Sequence, residues 1–328
     1  MKRMVILAAC ILLINTQLIM AGGGTQRSSS PEDFPNRPIT LIITQAAGGG
    51  TDLGARLMIP FWERELGGTI TPINQVGAGG WLAINELPSR PNDGYTVYAF
   101  SNGLATDRLN PSTNHPVTYN DVQLIGNYVL DISAWAKHVD DNRFRNLNEL
   151  IEYARRNQVT VGCAAIGNYD WVVIQNVNRQ LNTQFVAVPT PGGAAESMAA
   201  LMGRHIDLLG VKVGEILTPV REGFFEPITV FWADRAPFFP DVPTFMETTG
   251  LPIFGHSARG HMMPKGGDPR VVQRLVDSYA RAVNNPEFIA QLAERGLSVH
   301  YMDPDEYHQL MVDDERTVLE IYRLLGWL

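Results

Sequence analysis

Cysteine is nearly missing from this chain: there are two in 328 residues, Cys10 and Cys163. Cys10 sits in an apolar N-terminal stretch. If that stretch is removed, Cys163 stands alone, no internal disulfide can form, and packing must hold the fold. Excess positive charge is missing too, with 26 Lys and Arg against 34 Asp and Glu and a formal net charge of −8. That balance excludes a nucleic-acid binder, which needs concentrated Lys and Arg.

Long apolar runs are missing beyond the N-terminus. Lys2 and Arg3 precede an apolar run over 4–14, renewed over 17–21, and the small residues Ala21, Gly22 and Gly23 follow. This order reads as a signal peptide over 1–21 and a Gly/Ser-rich tether over 22–33, so the mature protein is expected in the periplasm or otherwise outside the cytoplasm. Asn15, Thr16 and Gln17 break the run, which argues against a permanent membrane span of about 20 apolar residues. Leu7-Ala8-Ala9-Cys10 resembles a lipoprotein processing box and offers a minority route to lipid anchoring at Cys10.

Motifs of catalysis and nucleotide binding also fail. Gly255-His256-Ser257-Ala258-Arg259-Gly260 misses the G-x-S-x-G elbow by one residue. His256 and His261 stand five apart, not at the i,i+4 spacing of a helical metal pair. Leu53 and Leu82 occupy the third-glycine places of two G-x-G-x-x-G candidates, and neither turn carries a P-loop Lys-Ser/Thr pair. No catalytic residue, metal or cofactor is therefore expected, and the chain is read as a non-enzyme.

What is present is length for two lobes and an alternation of strand-like and helix-like segments. Strands are expected over 40–44, 69–74, 96–100, 123–126, 159–163, 184–188, 206–211 and 228–233. Helices are expected over 51–66, 147–157, 170–181, 194–202 and 213–221, with a helical C-terminal region over 270–284, 286–295 and 305–325. In the first helix, Leu53, Leu57, Phe61 and Trp62 read as one apolar face. The pattern is α/β with mostly parallel sheets, whose ligands bind outside the carboxyl ends of the strands.

Gln45-Ala46-Ala47-Gly48-Gly49-Gly50-Thr51-Asp52 follows a strand and opens a helix. Glycines allow close backbone approach, and the unpaired first N–H groups of a helix favour an anion. Ala47, Gly48, Gly49, Gly50 and Thr51 are therefore candidate ligand contacts. Asp52 is a weaker candidate, because a bare carboxylate repels an anion. Ser101 and Asn102, after the strand at 96–100, join them.

At these residues the chain resembles the TctC/Bug family, the extracytoplasmic solute receptors of tripartite tricarboxylate transporters. Five motifs occur in family order: the turn Ala46 to Asp52; Asn74 to Gly80, with Val76 in place of proline; Pro91-Asn92-Asp93-Gly94-Tyr95-Thr96, with one insertion; Gly203-Arg204-His205-Ile206-Asp207; and Pro240 to Thr244. The resemblance implies a type II-like periplasmic-binding-protein fold, with two α/β lobes and a ligand cleft between them. Lobe one would hold 34–135 plus 258–328, and lobe two 136–257. It further implies a monomer that captures a small carboxylate and delivers it to integral-membrane transporter subunits. A ligand-sensing module for a signalling receptor is the alternative, and a carboxylate-processing enzyme is the more distant one.

The family's second anchoring turn corresponds to Gly162-Cys163-Ala164-Ala165-Ile166-Gly167-Asn168, only partly kept, which adds Ala165, Gly167 and Asn168 to the candidates. Where the family usually presents an aromatic residue, this chain has Ala258-Arg259. A guanidinium there would clasp a second carboxylate through two parallel hydrogen bonds, and Lys212 would serve as a point charge from the other lobe.

Overall fold

The computed structural model describes residues 31–48, 50–110, 115–163, 166–190 and 193–328. The leader, most of the tether, Cys10, Gly49 and Ala165 lie outside the described residues. The first unit is parallel. Strand β1 (Ile39–Ile43) lies between β2 (Ile70–Asn74) and β3 (Thr96–Ser101). Helix α1 (Gly50–Leu66) covers one face of this unit with Ala55, Met58, Phe61, Trp62 and Leu66 buried. Leu53 departs from the expected apolar face and is 48% exposed, because the helix turns its Ala55–Met58–Trp62 stripe to the sheet.

Strand β4 (Val122–His138) organises the molecule. Its first part, up to Ile132, pairs antiparallel with β9 (His256–Pro264), which pairs on its other side with β3. From Ser133 onward β4 pairs with β7 (Leu208–Lys212), and from Ala134 also with β8 (Phe225–Val230). Beyond β7 lie β5 (Val159–Cys163) and β6 (Phe185–Pro189), both parallel. One 17-residue strand, about 56 Å long at 3.3 Å per residue, therefore carries both sheets.

The sequence reading recovered only the start of this strand, and the expectation of mostly parallel sheets is corrected. The first sheet and the second each contain parallel neighbours, but every pairing of β4 and β9 is antiparallel. The C-terminal region is likewise not all helical. Strand β10 (Val299–Met302) pairs with β4, between the helix at Pro286–Ala293 and a final helix at Pro304–Leu324.

Helices cover both faces of each sheet. In the second unit α2 (Leu147–Ala154) and α3 (Tyr169–Leu181) pack on a core of Trp135, Phe144, Ile174 and Phe231, while α4 (Ala194–Met202) and α5 (Val213–Arg221) pack on a separate core of Ala134, Leu209, Val211 and Val230. The final helix, α6 (Pro304–Leu324), touches both units. Tyr307 and Met311 join the first core, while Val318, Ile321 and Tyr322 pack into the second with Trp171.

Candidate functional site

The change of partners along β4 brings strand ends from both units to a cavity of about 230 Å³. Alternate residues of β4, Asp131 and Ser133, present polar groups to the elements that line it, as the twofold side-chain period of a strand requires. Asp131 Oδ1 accepts the Gly214 N–H at 3.2 Å, in the first turn of α5. Ser133 Oγ donates to Asp170 Oδ1 at 2.8 Å and accepts from Lys212 Nζ at 3.1 Å.

The structure brings Ser101, Asn102, Asn168, Lys212 and Arg259 to the cavity wall. Lys212 is 7% exposed and its ammonium is paired with Asp170. Its backbone N–H donates to Glu215 Oε2 at 2.8 Å. Arg259 is 6% exposed. Its Nη1 lies 3.5 Å from Asp131 Oδ2, yet makes no hydrogen bond. Asp131 Oδ2 likewise makes no hydrogen bond among the described residues, so the two are held as an ion pair and the guanidinium keeps donor capacity for a further acceptor. Burial pushes the Asp131 carboxyl up, against the opposing pull of Arg259.

Gly50 joins the first glycine turn to this wall. A Cβ there would stand 2.9 Å from Arg259 Nη2, so the missing side chain is what lets the guanidinium lie against the start of α1. The rest of the turn acts differently. Asp52 is buried and accepts from the Gly48 N–H at 2.9 Å, from Arg56 Nε at 2.8 Å and from Asn74 Nδ2 at 2.7 Å. Burial alone would raise its pKa, but these bonds outweigh it and hold the carboxyl below the usual range. Asp52 thus braces the loop. Ala47 and Gly48 are exposed, Thr51 is buried, and none of the three lines the cavity.

In the second turn Gly167 takes φ +85° and its carbonyl accepts the Tyr322 hydroxyl at 2.7 Å. Asn168 caps α3, accepting the Trp171 N–H at 2.9 Å. Asn102 also has structural bonds. Its Nδ2 donates to Asp314 Oδ2 at 2.7 Å and its Oδ1 accepts the Ala258 N–H at 3.1 Å.

Sequence reasoning missed Asp107, Asp170, Glu215 and His256, which also line the cavity. His256 is 3% exposed; Nε2 lies 3.2 Å from Asp314 Oδ2, and Nδ1 has no hydrogen-bond partner among the described residues. Burial pushes Asp107 up to about 6. Asp170 and Glu215 sit in the first turns of helices that follow strands, a position legible in the sequence; their convergence on Lys212 is set by the fold. Among the described residues no group of three or more His, Cys, Asp or Glu is placed to hold a metal ion.

Several comparisons place this architecture. The "UPF0065 protein in gbd 5'region" of Cupriavidus necator is 29% identical over 301 residues, covering 90% of this chain and 89% of that protein. "Protein BugT" of Bordetella pertussis is 25% identical over 323 residues, covering 96% and 97%. Among solved structures, R. palustris Rpa4515 with adipate superposes with a TM-score of 0.78 at 21% identity, covering 90% of this chain and 99% of that one. MatC from Rhodopseudomonas palustris with bound malate gives 0.73 at 23% identity, covering 88% and 99%. These likenesses establish the two-lobed fold with a cleft. The profile described as tripartite tricarboxylate transporter family receptor, TctC, matches residues 55–326, and the chain belongs to that family.

Proposed function

We propose that this chain is an extracytoplasmic solute receptor that captures a small carboxylate between its lobes and hands it to membrane transporter subunits. The observation that carries the reading is Arg259: buried, ion-paired with Asp131 but without a hydrogen bond at Nη1 among the described residues, and laid against Gly50 at the start of α1. An acceptor entering there would meet the guanidinium and the free N–H groups of the helix together. The adipate and malate in two structural relatives are consistent with that chemistry. Delivery as a monomer and export behind the 1–21 leader belong to the same reading, with lipid attachment at Cys10 as the minor route. The closing units would be 34–135 plus 258–328 and 136–257, and the switch of strand partners after Ile132 supports a hinge there.

A thermal-shift screen of mono- and dicarboxylates on the mature chain is the first test, because a ligand that binds only the native state raises its stability. Arg259→Ala should then weaken the best binder at least tenfold, or about 1.4 kcal/mol, with a larger loss for a dicarboxylate than for its monocarboxylate partner. Unchanged affinity in calorimetry would remove Arg259 from the site.

A further inference from the structure

The hinge strand has a second face. Asp131 and Ser133 turn their side chains to the elements of the cleft, so the alternation of β4 turns Leu130 and Ile132 the other way. There they help to line another cavity, of about 250 Å³. Its walls come from both sheets. The loop after β8 brings Trp232 and residues 234–238, and the approach to β10 brings Gly296 and residues 298–300. β8 pairs with the second part of β4 and β10 with the first.

The loop after β8 is built as a stiff arm. Ala236 and Phe239 are buried in the core that holds Val230. Arg235 Nε donates to Glu247 Oε2 at 2.9 Å, and its Nη1 donates to the Pro240 carbonyl at 3.0 Å. The Phe239 N–H donates to the Ala236 carbonyl at 2.9 Å, and the Val242 N–H to the Phe239 carbonyl at 3.0 Å. The stretch Pro240 to Thr244 is the root of the arm: Thr244 bridges to Val230 of β8 and caps the helix Phe245–Thr249. The tip is Pro237, exposed, and Phe238, half-buried. The same two residues line a further cavity, of about 660 Å³, with Ile289, Leu297 and residues 298–301. Empty volume beside the tip in both cavities means that its contacts with the first unit are incomplete, whereas the root is closely held. The surface along which the two units part most readily therefore runs past the tip.

We propose that Pro237-Phe238 is a rear brace: it rests against the first unit at 298–300 while the cleft is open and parts from it as the cleft closes, so that residues outside the cleft set how readily it shuts. The hinge after Ile132 lies between the two faces, and a rotation that narrows one widens the other. Contacts made only in the open state favour that state, and a ligand that needs the closed state binds more weakly in proportion. This inference rests on the lobe closure in the receptor reading, but it concerns a surface that the carboxylate does not touch.

The test is a pulsed electron-resonance distance measurement on the ligand-free mature chain. Spin labels are carried by Leu53→Cys, in the first turn of α1, and Ile166→Cys, in the second glycine turn, both exposed positions. Cys163 is buried and stays unlabelled. Two opposite changes are then compared. Phe238→Ala removes the brace contact, and Ser298→Trp adds bulk to the rear cavity, which fits only when the rear is wide. Both should shift the distance distribution to shorter values and raise the closed population severalfold, with melting curves confirming that each variant is folded. Ordinary packing by Phe238 would act the other way, because its truncation would loosen the units and lengthen the distances. An unchanged or longer distance in either folded variant would overturn the brace. The distances are read without ligand, so this failure is told apart from failure of the carboxylate reading. A carboxylate found in the thermal-shift screen should bind both variants severalfold more tightly, in step with the closed population.

Discussion

Gly50 is the residue on which the first glycine turn and the cleft meet, and the requirement is one of space, since an added Cβ would come within 2.9 Å of Arg259 Nη2. The atom in the way is the far end of a flexible side chain, so Gly50→Ala would displace the guanidinium and leave the backbone in place. Alanine is also the better helix former by up to about 1 kcal/mol. The variant should therefore melt at the same temperature or higher, yet bind carboxylate severalfold more weakly. A loss of stability that accompanied the loss of affinity would mean that Gly50 serves the helix and not Arg259. The neighbouring Asp52 shows why a motif alone misassigns roles. Its place in a ligand-turn sequence fits a contact, but Gly48, Arg56 and Asn74 occupy its oxygens.

At the scale of elements, α6 works as a strut. Asp314, 2% exposed, receives Asn102 from the loop after β3 and lies 3.2 Å from His256 Nε2 at the start of β9. Removing its carboxylate leaves those partners buried and unsatisfied, which costs about 2–4 kcal/mol in comparable settings. Asp314→Ala should lower the urea midpoint accordingly, and Asp314→Asn, which keeps an acceptor, should recover part of the loss; equal losses would place the effect in helix packing. Elements like α6 were legible because an amphipathic period over 21 residues is hard to mistake. The parallel units were legible for a similar reason, and 159–163 and 213–221 match β5 and α5 residue for residue. β4 was not, because Asn127, Asp131, Ser133 and Lys137 interrupt its apolar run while being buried themselves. Asn127 is placed by a partner on β10, Asp131 by partners on β9 and α5, and Ser133 by partners on β7 and α3, all remote in sequence. The same remoteness hid the acids around Lys212, whereas the glycine turns announced themselves by local backbone chemistry.

For the whole molecule, buried titratable groups set opposing responses to acid. His261 is fully buried against Tyr279 and the Trp62 ring, and burial pushes it down to about 3. Between about pH 6.5 and 3 the unfolded chain binds a proton at this site that the folded chain refuses. Stability is therefore lost as pH falls through that window, with a slope approaching about 1.4 kcal/mol per pH unit. Asp107 has the opposite sign. With its carboxyl at about 6, the folded state binds the extra proton between pH 6 and 3.8, so stability is gained as pH falls there. Asp131, also raised by burial, shares that sign, while His300, lowered by burial, shares the sign of His261. Asp52, Asp141 and Asp207 are held below the usual carboxylate range by hydrogen bonds that outweigh burial, and their contribution is lost only as pH falls through their depressed values. Between pH 4 and 6 the histidine and carboxyl terms thus offset each other, and the native chain should show a shallow profile in urea titrations. Asp107→Asn should steepen the acid loss in that interval. His261→Gln, less stable than the native chain at pH 7, should close the gap as pH falls toward 4. A gap that stays constant from pH 7 to 4 would show that His261 does not hold the buried, neutral state that its surroundings impose.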